Sequence, residues 1–464
     1  MNDFAGYLSP FSWRYGTPQM RRIWSEEGKR RLWRSIWVSL ARVESEFGLV
    51  DGKLADELAA HAEDIDLTRS FEIEEEIRHD LMAEVKTFAG QCPNAGGIIH
   101  LGATSMDIED NADALRMRES LKLVIEKLKG LLGIFADTIE KTADLPIMAF
   151  THIQPAEPTT FGYRCAMWAQ DLLINLDDLE KVLTSLRGKG FKGAVGTVAS
   201  YSELIGPERV ERFEKRLAEE LGIQFFPIAT QTYTRLQDYR VVSALAGLAA
   251  SLHKMAFDLR ILQSPPVGEV SEPFGSRQVG SSAMPFKRNP IDAEKIDSLA
   301  RLLSSMPQVA WSNASLSLLE RTLDDSANRR TILPESFLIT DELLKTATKI
   351  VSGLVLNTEA MQRTFAVYAP FACTERIMMA LAKKGADRQV LHEKLREHAL
   401  SAWAAIKLDR VNPLFDMILE DAFFTKLVPR SELEALMDVQ TYLGTAPSRA
   451  RNFAQNIKDA VRDT

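Results

Sequence analysis

Cysteine is nearly missing from this chain: Cys92, Cys165 and Cys373 lie far apart among 464 residues. That set builds neither a disulfide framework nor a cysteine metal site. Histidine is sparse too, seven scattered residues, so no metal set is legible and no cofactor is expected. No apolar run approaches the roughly 20 residues that a membrane span needs, so no membrane partner is expected. Basic excess is absent: a net charge of −8 argues against a nucleic-acid binder and leaves room for a local basic pocket. The opening MNDFAGYLSPFSWRYG has no basic start followed by an apolar core, so no secretory signal is expected and the cytoplasm is the expected location. GKGFKGAVGT at Gly188 lacks the strand–turn–helix setting of a phosphate loop.

What is present is helix. The chain is 45% hydrophobic and 26% charged, ordinary for a globular protein with room for two or three domains. Leu32, Trp33, Ile36, Trp37, Leu40, Val43 and Phe47 fall three or four apart, predicting a helix over 25–47 with Gly48 as its stop. The acid-rich FEIEEEIRHDLMAEVKTF reads as a further helix. From about Asp107 an apolar seam runs through Leu121, Leu128 and Phe135 to Ile139, on the order of 50 Å at 1.5 Å per residue. Helices are also expected over 158–186, 234–262, 290–318 and 327–356, with kinks at Pro307 and Pro334. Apolar positions beside the main seams predict a bundle that buries more than one face, for which a homo-oligomer is the natural solution. Shorter helices are expected after about Asn357, around 371–384 and 390–406. The expectation is an all-α protein of three domains, 1–105, 106–357 and 358–464, with a central bundle of long helices.

Between two of those helices lies QSPPVGEVSEPFGSRQVGSSAMPFKRNP, residues 263–290, with neither helical nor strand period. Its prolines deny it a helix interior. Gly280-Ser281-Ser282 offers hydroxyls and closely spaced N–H groups, and Lys287-Arg288 adds positive charge. These are parts of an anion-binding nest holding a nucleophile or base; the bland alternative is a flexible surface loop. Other irregular stretches carry Arg14 and Tyr15, Thr104 and Ser105, His152 in FTHIQPAEPTT, and the Arg/Asp cluster LLERTLDDSANRR. Singly, such a histidine reads as a structural hydrogen-bonder and such a cluster as helix-end salt bridges. Together they supply what a β-elimination needs: a proton acceptor, a proton donor near neutral pH, and arginines that hold carboxylates bidentately.

GSSAMPFKRNP closely resembles the signature of the fumarase/aspartase/argininosuccinase superfamily of lyases. GATS at Gly102 and THIQPA at Thr151 match its other two blocks in order. RHD at Arg78, QTYTR at Gln231 and ERTLDDSANRR at Glu320 resemble the adenylosuccinate-cleaving family within it, over about 12–357 and more weakly beyond. The resemblance implies release of fumarate from adenylosuccinate and from the succinylated aminoimidazole carboxamide ribotide. It implies Ser281 as base and His152 as general acid, with Lys287 and Glu294 in support. It implies substrate contacts at Arg14, Tyr15, Arg78, His79, Asp80, Thr104, Ser105, Gln231, Ser282, Lys295, Arg321, Ser326 and Arg330. At Lys295 the family pattern expects an arginine; lysine keeps the charge and loses the planar fork. The resemblance further implies a small phosphorylated substrate, no metal or other cofactor, and a homotetramer whose active sites are shared between subunits. Rival readings are argininosuccinate lyase, a carboxymuconate cycloisomerase, or a non-enzymatic helical scaffold that keeps the fold.

Overall fold

The computed structural model describes residues 4–462. The chain divides into two compact units: one comprises residues up to Leu128, Asn175–Ala250 and Ser298–Lys345, the other Lys129–Ile174, Ser251–Asp297 and Thr346 onward. The long helices are Ser105–Lys141, Phe161–Ser185, Leu236–Gln263, Ile291–Ser315 and Ser326–Ser352. Each matches an expected helix to within a few residues, and Pro307 and Pro334 lie inside helices that continue past them.

In the first unit, the Glu26–Glu46 helix begins where Ser25 accepts a hydrogen bond from the Gly28 N–H at 3.0 Å, with Glu26 and Glu27 at its positive end. Trp33, Ile36, Trp37, Leu40 and Val43 are buried as the seam predicts. Arg30 and Arg34, on the same helix, are buried too. Arg34 donates through Nε to the buried Glu84 at 2.7 Å, and through Nη1 to the His61 and Asp64 carbonyls. A buried charge is tolerable only when paired and hydrogen-bonded, as Arg34 is through Nε and Nη1.

The acid-rich segment departs from expectation. Instead of one helix it forms two, Leu67–Ile77 and Asp80–Gln91. Arg78 ends the first in the left-handed region at φ 58°, and the His79 ring caps the second by accepting from the Met82 N–H at 3.4 Å. Periodicity alone does not register such a break, because apolar positions on both sides stay in helical step.

In the second unit, 146–160 is a β-hairpin, Pro146–Thr151 paired antiparallel with Gln154–Thr160. This corrects both the irregular reading of FTHIQPAEPTT and a helix start at Pro158; the helix begins at Phe161. A bulge between Met148 and Phe150 adjusts the register around a proline-rich strand whose prolines cannot donate to the ladder. The 263–290 loop is likewise not wholly irregular, since Val270–Ser271 pairs with Val355–Leu356. The helix after Asn357 is longer than expected, Thr358–Lys383, and runs through Pro370. It is the one candidate among the described residues long and apolar enough to cross a membrane, with 39% of its most apolar stretch buried. It packs against the hairpin and the Arg388–Ile406 helix. A core of Ile377, Leu381, Leu391, Leu395, Leu414, Ile418 and Phe424 holds the C-terminal helices together.

Candidate active site

In the first unit, the GATS block enters the Ser105–Lys141 helix through Asp107. Its carboxylate accepts from the Thr104 N–H at 2.9 Å and from the Lys192 and Gly193 N–H groups at 3.1 and 3.2 Å. It also pairs with Lys189; both side chains are fully buried. Burial raises the Asp107 carboxyl above its usual range, and Lys189 opposes that shift. The GKGFKG stretch thus serves as the counter-wall that fixes Thr104 and Ser105.

A second polar cluster joins three distant segments. Arg235 donates to Asp110 at 2.9 Å and to Asp325 at 2.6 Å. Arg329 donates to Asp238 at 2.7 Å and to the Tyr233 hydroxyl at 2.9 Å, and that hydroxyl donates to Asp238 at 2.6 Å. Of the expected substrate residues, Arg321 joins this cluster directly. Arg321 reaches Asp325 at 2.8 Å, Arg330 reaches Asp80 at 2.9 Å, and the Gln231 N–H donates to the Glu320 carbonyl at 3.2 Å. Ser326 opens the Ser326–Ser352 helix. Burial opposes ionisation of Asp325, but Arg235 and Arg321 overcome it and hold the carboxyl below its usual range. Glu109, penalised by burial and then by Asp80, Asp113 and Asp110, is pushed up to about 8. Arg14 lies over the Trp13 ring, 5.6 Å from its centroid, and the Tyr15 ring packs 5.7 Å from Phe11. Next to them Gly16 donates to Glu342 at 3.2 Å, anchoring the Arg14-Tyr15 turn.

In the second unit, His152 and Ile153 occupy the tip of the hairpin, both with positive φ, 54° and 59°. The right-handed twist of a hairpin favours such a primed turn, but its usual residues are Asn and Gly. For a β-branched isoleucine the conformation is strained, which points to a requirement on where the tip carries its side chains. His152 is exposed, and its ring makes no hydrogen bond among the described residues.

The 263–290 loop is tied at its base and projects at its tip. Glu272, buried, accepts from the Asp292 and Ala293 N–H groups at 3.2 and 3.0 Å, capping the Ile291–Ser315 helix. Gln263 accepts from the Glu272 N–H at 3.0 Å and donates to the Arg288 carbonyl at 3.1 Å. The Ser281 hydroxyl oxygen accepts from the Ala283 and Met284 N–H groups at 3.3 and 3.1 Å. Amides aimed at an oxygen favour negative charge on it. Gly280 is required by contact: a Cβ there would lie 2.1 Å from the Lys287 carbonyl oxygen. Ser282 and Lys287 are exposed on the projecting part. Glu294 lies 3.7 Å from Arg260, and Lys295 pairs with Asp292 at 3.4 Å. Within the chain no hydrogen bond joins His152, Ser281, Lys287 and Glu294 to one another among the described residues.

Comparison with known proteins decides the family. Residues 15–302 match the lyase family, and 370–453 match the adenylosuccinate lyase C-terminus. An adenylosuccinate lyase of Saccharomyces cerevisiae is 39% identical, covering 100% of this chain and 97% of its own length. One from Schistosoma mansoni is 38% identical over 99% of this chain and 96% of its own. This chain belongs to the adenylosuccinate lyase family.

Solved structures give the wider superfamily. The 3-carboxy-cis,cis-muconate lactonizing enzyme of Pseudomonas putida is 25% identical with a TM-score of 0.85, over 97% of this chain and 99% of that one. A fumarate lyase from a Mesorhizobium species is 25% identical with a TM-score of 0.83, over 95% and 98%. The adenylosuccinate lyase likeness reaches further than the sequence motifs did, since the C-terminal match lies beyond the stretch where the blocks are dense. What motif reading missed is the floor beneath the expected site: Asp110, Arg235, Asp238 and Arg329. Arg235 ends the QTYTR block and Arg329 stands in the SANRR block, so both were in view; their pairing through Asp110 was not, because Asp110 lies far away in the chain.

Proposed function

We propose that this chain cleaves adenylosuccinate to AMP and fumarate, and the succinylated aminoimidazole carboxamide ribotide to its carboxamide and fumarate, by β-elimination. The observation that carries the reading is the set of guanidinium groups, Arg321 held by the buried Asp325 and Arg330 held by Asp80. Such groups suit the carboxylates and phosphate of a succinylated nucleotide. Arg14, Tyr15, Arg78, His79, Thr104, Ser105, Gln231, Ser282, Lys295 and Ser326 complete the substrate contacts in this reading.

The chemistry starts at a weakly acidic C–H beside a succinyl carboxylate. Ser281 takes that proton as its alkoxide, its own hydroxyl proton having first passed to solvent. A serine hydroxyl is a poor base, so it needs the amides of Ala283 and Met284 and the charge of Lys287, brought close when the loop closes over substrate. The electron pair left on carbon forms the new C=C bond as the C–N bond breaks. The departing nitrogen takes a proton from His152, whose imidazolium donates near neutral pH. Glu294 orients that histidine once copies of the chain associate. The reaction draws on no metal or other cofactor.

The active form is a homotetramer in the cytoplasm, with domains 1–105, 106–357 and 358–464 and with active sites assembled from more than one subunit. Support comes from the exposure of His152 at its hairpin tip and of the residues that follow Ser281, and from the lack of a hydrogen bond between His152 and Ser281 among the described residues. The test is purified protein mixed separately with adenylosuccinate and argininosuccinate, with and without chelator. Fumarate from adenylosuccinate alone, unaffected by chelator, is expected. Fumarate from argininosuccinate instead, or activity lost to chelator and restored by zinc or magnesium, would overturn the assignment.

A further inference from the structure

We propose that Asp325 and Arg235 are positioning residues that set the orientation of the Arg321 guanidinium toward substrate, an inference that rests on the proposed substrate role of Arg321. The two oxygens of Asp325 are used differently. Oδ1 accepts from Arg321 Nη1 at 2.8 Å, and Oδ2 accepts from Arg235 Nε at 2.6 Å. Asp325 is 2% exposed and Arg235 3%, so water does not compete for these bonds. Arg235 is fixed in turn by its donation to Asp110 at 2.9 Å, and its guanidinium lies over the Tyr233 ring, 4.9 Å from the centroid. Asp110 belongs to the rigid Ser105–Lys141 helix. The bonds therefore run from a helix through Asp110, Arg235 and Asp325 to Arg321.

Arg321 differs from the buried members in what it has left over. Its side chain is 19% exposed, and only Nη1 is engaged among the described residues. A guanidinium has five donors in a planar fork. Held by one corner, it presents its other edge for a bidentate bond to a planar anion, with little rotational freedom left to lose on binding. Arg330 makes a useful contrast: it reaches Asp80, and its side chain is 60% exposed. Arg321 is the pre-set contact and Arg330 the adaptable one.

A purely structural ion-pair network has the same geometry, so the test separates the two. Asp325→Asn keeps the shape, but its amide can accept from only one guanidinium and turns an N–H toward the other. Arg235→Lys keeps the charge but cannot span Asp325 and Asp110 with a fork. Both variants are expected to raise KM for adenylosuccinate, by about tenfold for Asp325→Asn, with kcat within about threefold of the parent. Adding Asp325→Asn to Arg321→Ala should change KM by less than about twofold, because the group being oriented is gone. Effects that multiply independently, or a lower kcat with unchanged KM, would overturn the proposal. If Asp325→Asn does not fold, Arg235→Lys alone and with Arg321→Ala decides by the same criteria. A parent protein that releases no fumarate from adenylosuccinate defeats the functional reading and this inference with it; an active parent with unmoved KM in both variants defeats the inference alone.

Discussion

Adding one methyl group at Gly280 tests the geometry of the signature loop. The Gly280 φ is not in the left-handed region, so alanine meets no backbone penalty there. The obstacle is steric. Its Cβ would lie 2.1 Å from the Lys287 carbonyl oxygen, 3.1 Å from the Lys287 carbonyl carbon and 3.2 Å from the Phe274 ring. Relief requires the two arms of the loop to part by about 1 Å or more, and a displacement of that size at a reacting group costs about a hundredfold in rate. The parting also strains the closure in which Asn289 Nδ2 donates to the Gly280 carbonyl at 3.0 Å. Ser281 is the next residue, so it moves with the loop. The segment from Ser282 to Arg288 is exposed, so stability should fall by less than about 1 kcal/mol. Gly280→Ala is therefore expected to lower kcat about a hundredfold with a nearly unchanged melting curve. Gly275→Ala serves as control, because a Cβ there meets nothing nearer than 3.8 Å. Fumarate release followed by absorbance, beside thermal unfolding, reads both quantities. Gly280→Ala with activity within about threefold of the parent, or Gly275→Ala equally damaged, would refute the reasoning.

Ser281→Ala should reduce kcat by about a thousandfold or more while substrate still binds, whereas Ser282→Ala should chiefly raise KM; the reverse pattern in steady-state kinetics would move the base by one residue. Glu44 is fully buried with neither carboxylate oxygen hydrogen-bonded, and burial pushes its carboxyl up to about 8. A folded value above the unfolded one means that stability is intact below the unfolded value and is lost as pH rises from there through about 8. Glu44→Gln should therefore gain on the order of 1–3 kcal/mol over the parent at alkaline pH and nothing in acid, as read by urea unfolding; an equal difference at both would show that charge is not the cause. Ser281→Ala and His152→Ala proteins, each inactive alone, should regain partial activity when dissociated together and reassembled. Hybrid tetramers that stay inactive would end the shared-site model.

The sequence by itself determined the helices and most of their limits. Apolar residues at three- and four-residue steps leave only a helix able to bury them together, and Ser25 before Glu26 starts the first long one by local hydrogen bonding alone. It determined the chemical inventory too, because Ser281, His152 and the arginines sit in short blocks whose order in the chain is itself diagnostic. Tertiary structure decided what depends on partners distant in the chain. Arg34 and Arg235 look like surface residues until Glu84 and Asp110 are folded against them, since a charge can be buried only when an opposite charge arrives from elsewhere. The Arg78 break and the His152 hairpin tip were also invisible. Both put non-glycine residues at positive φ, which local preference disfavours and only the surrounding fold can impose.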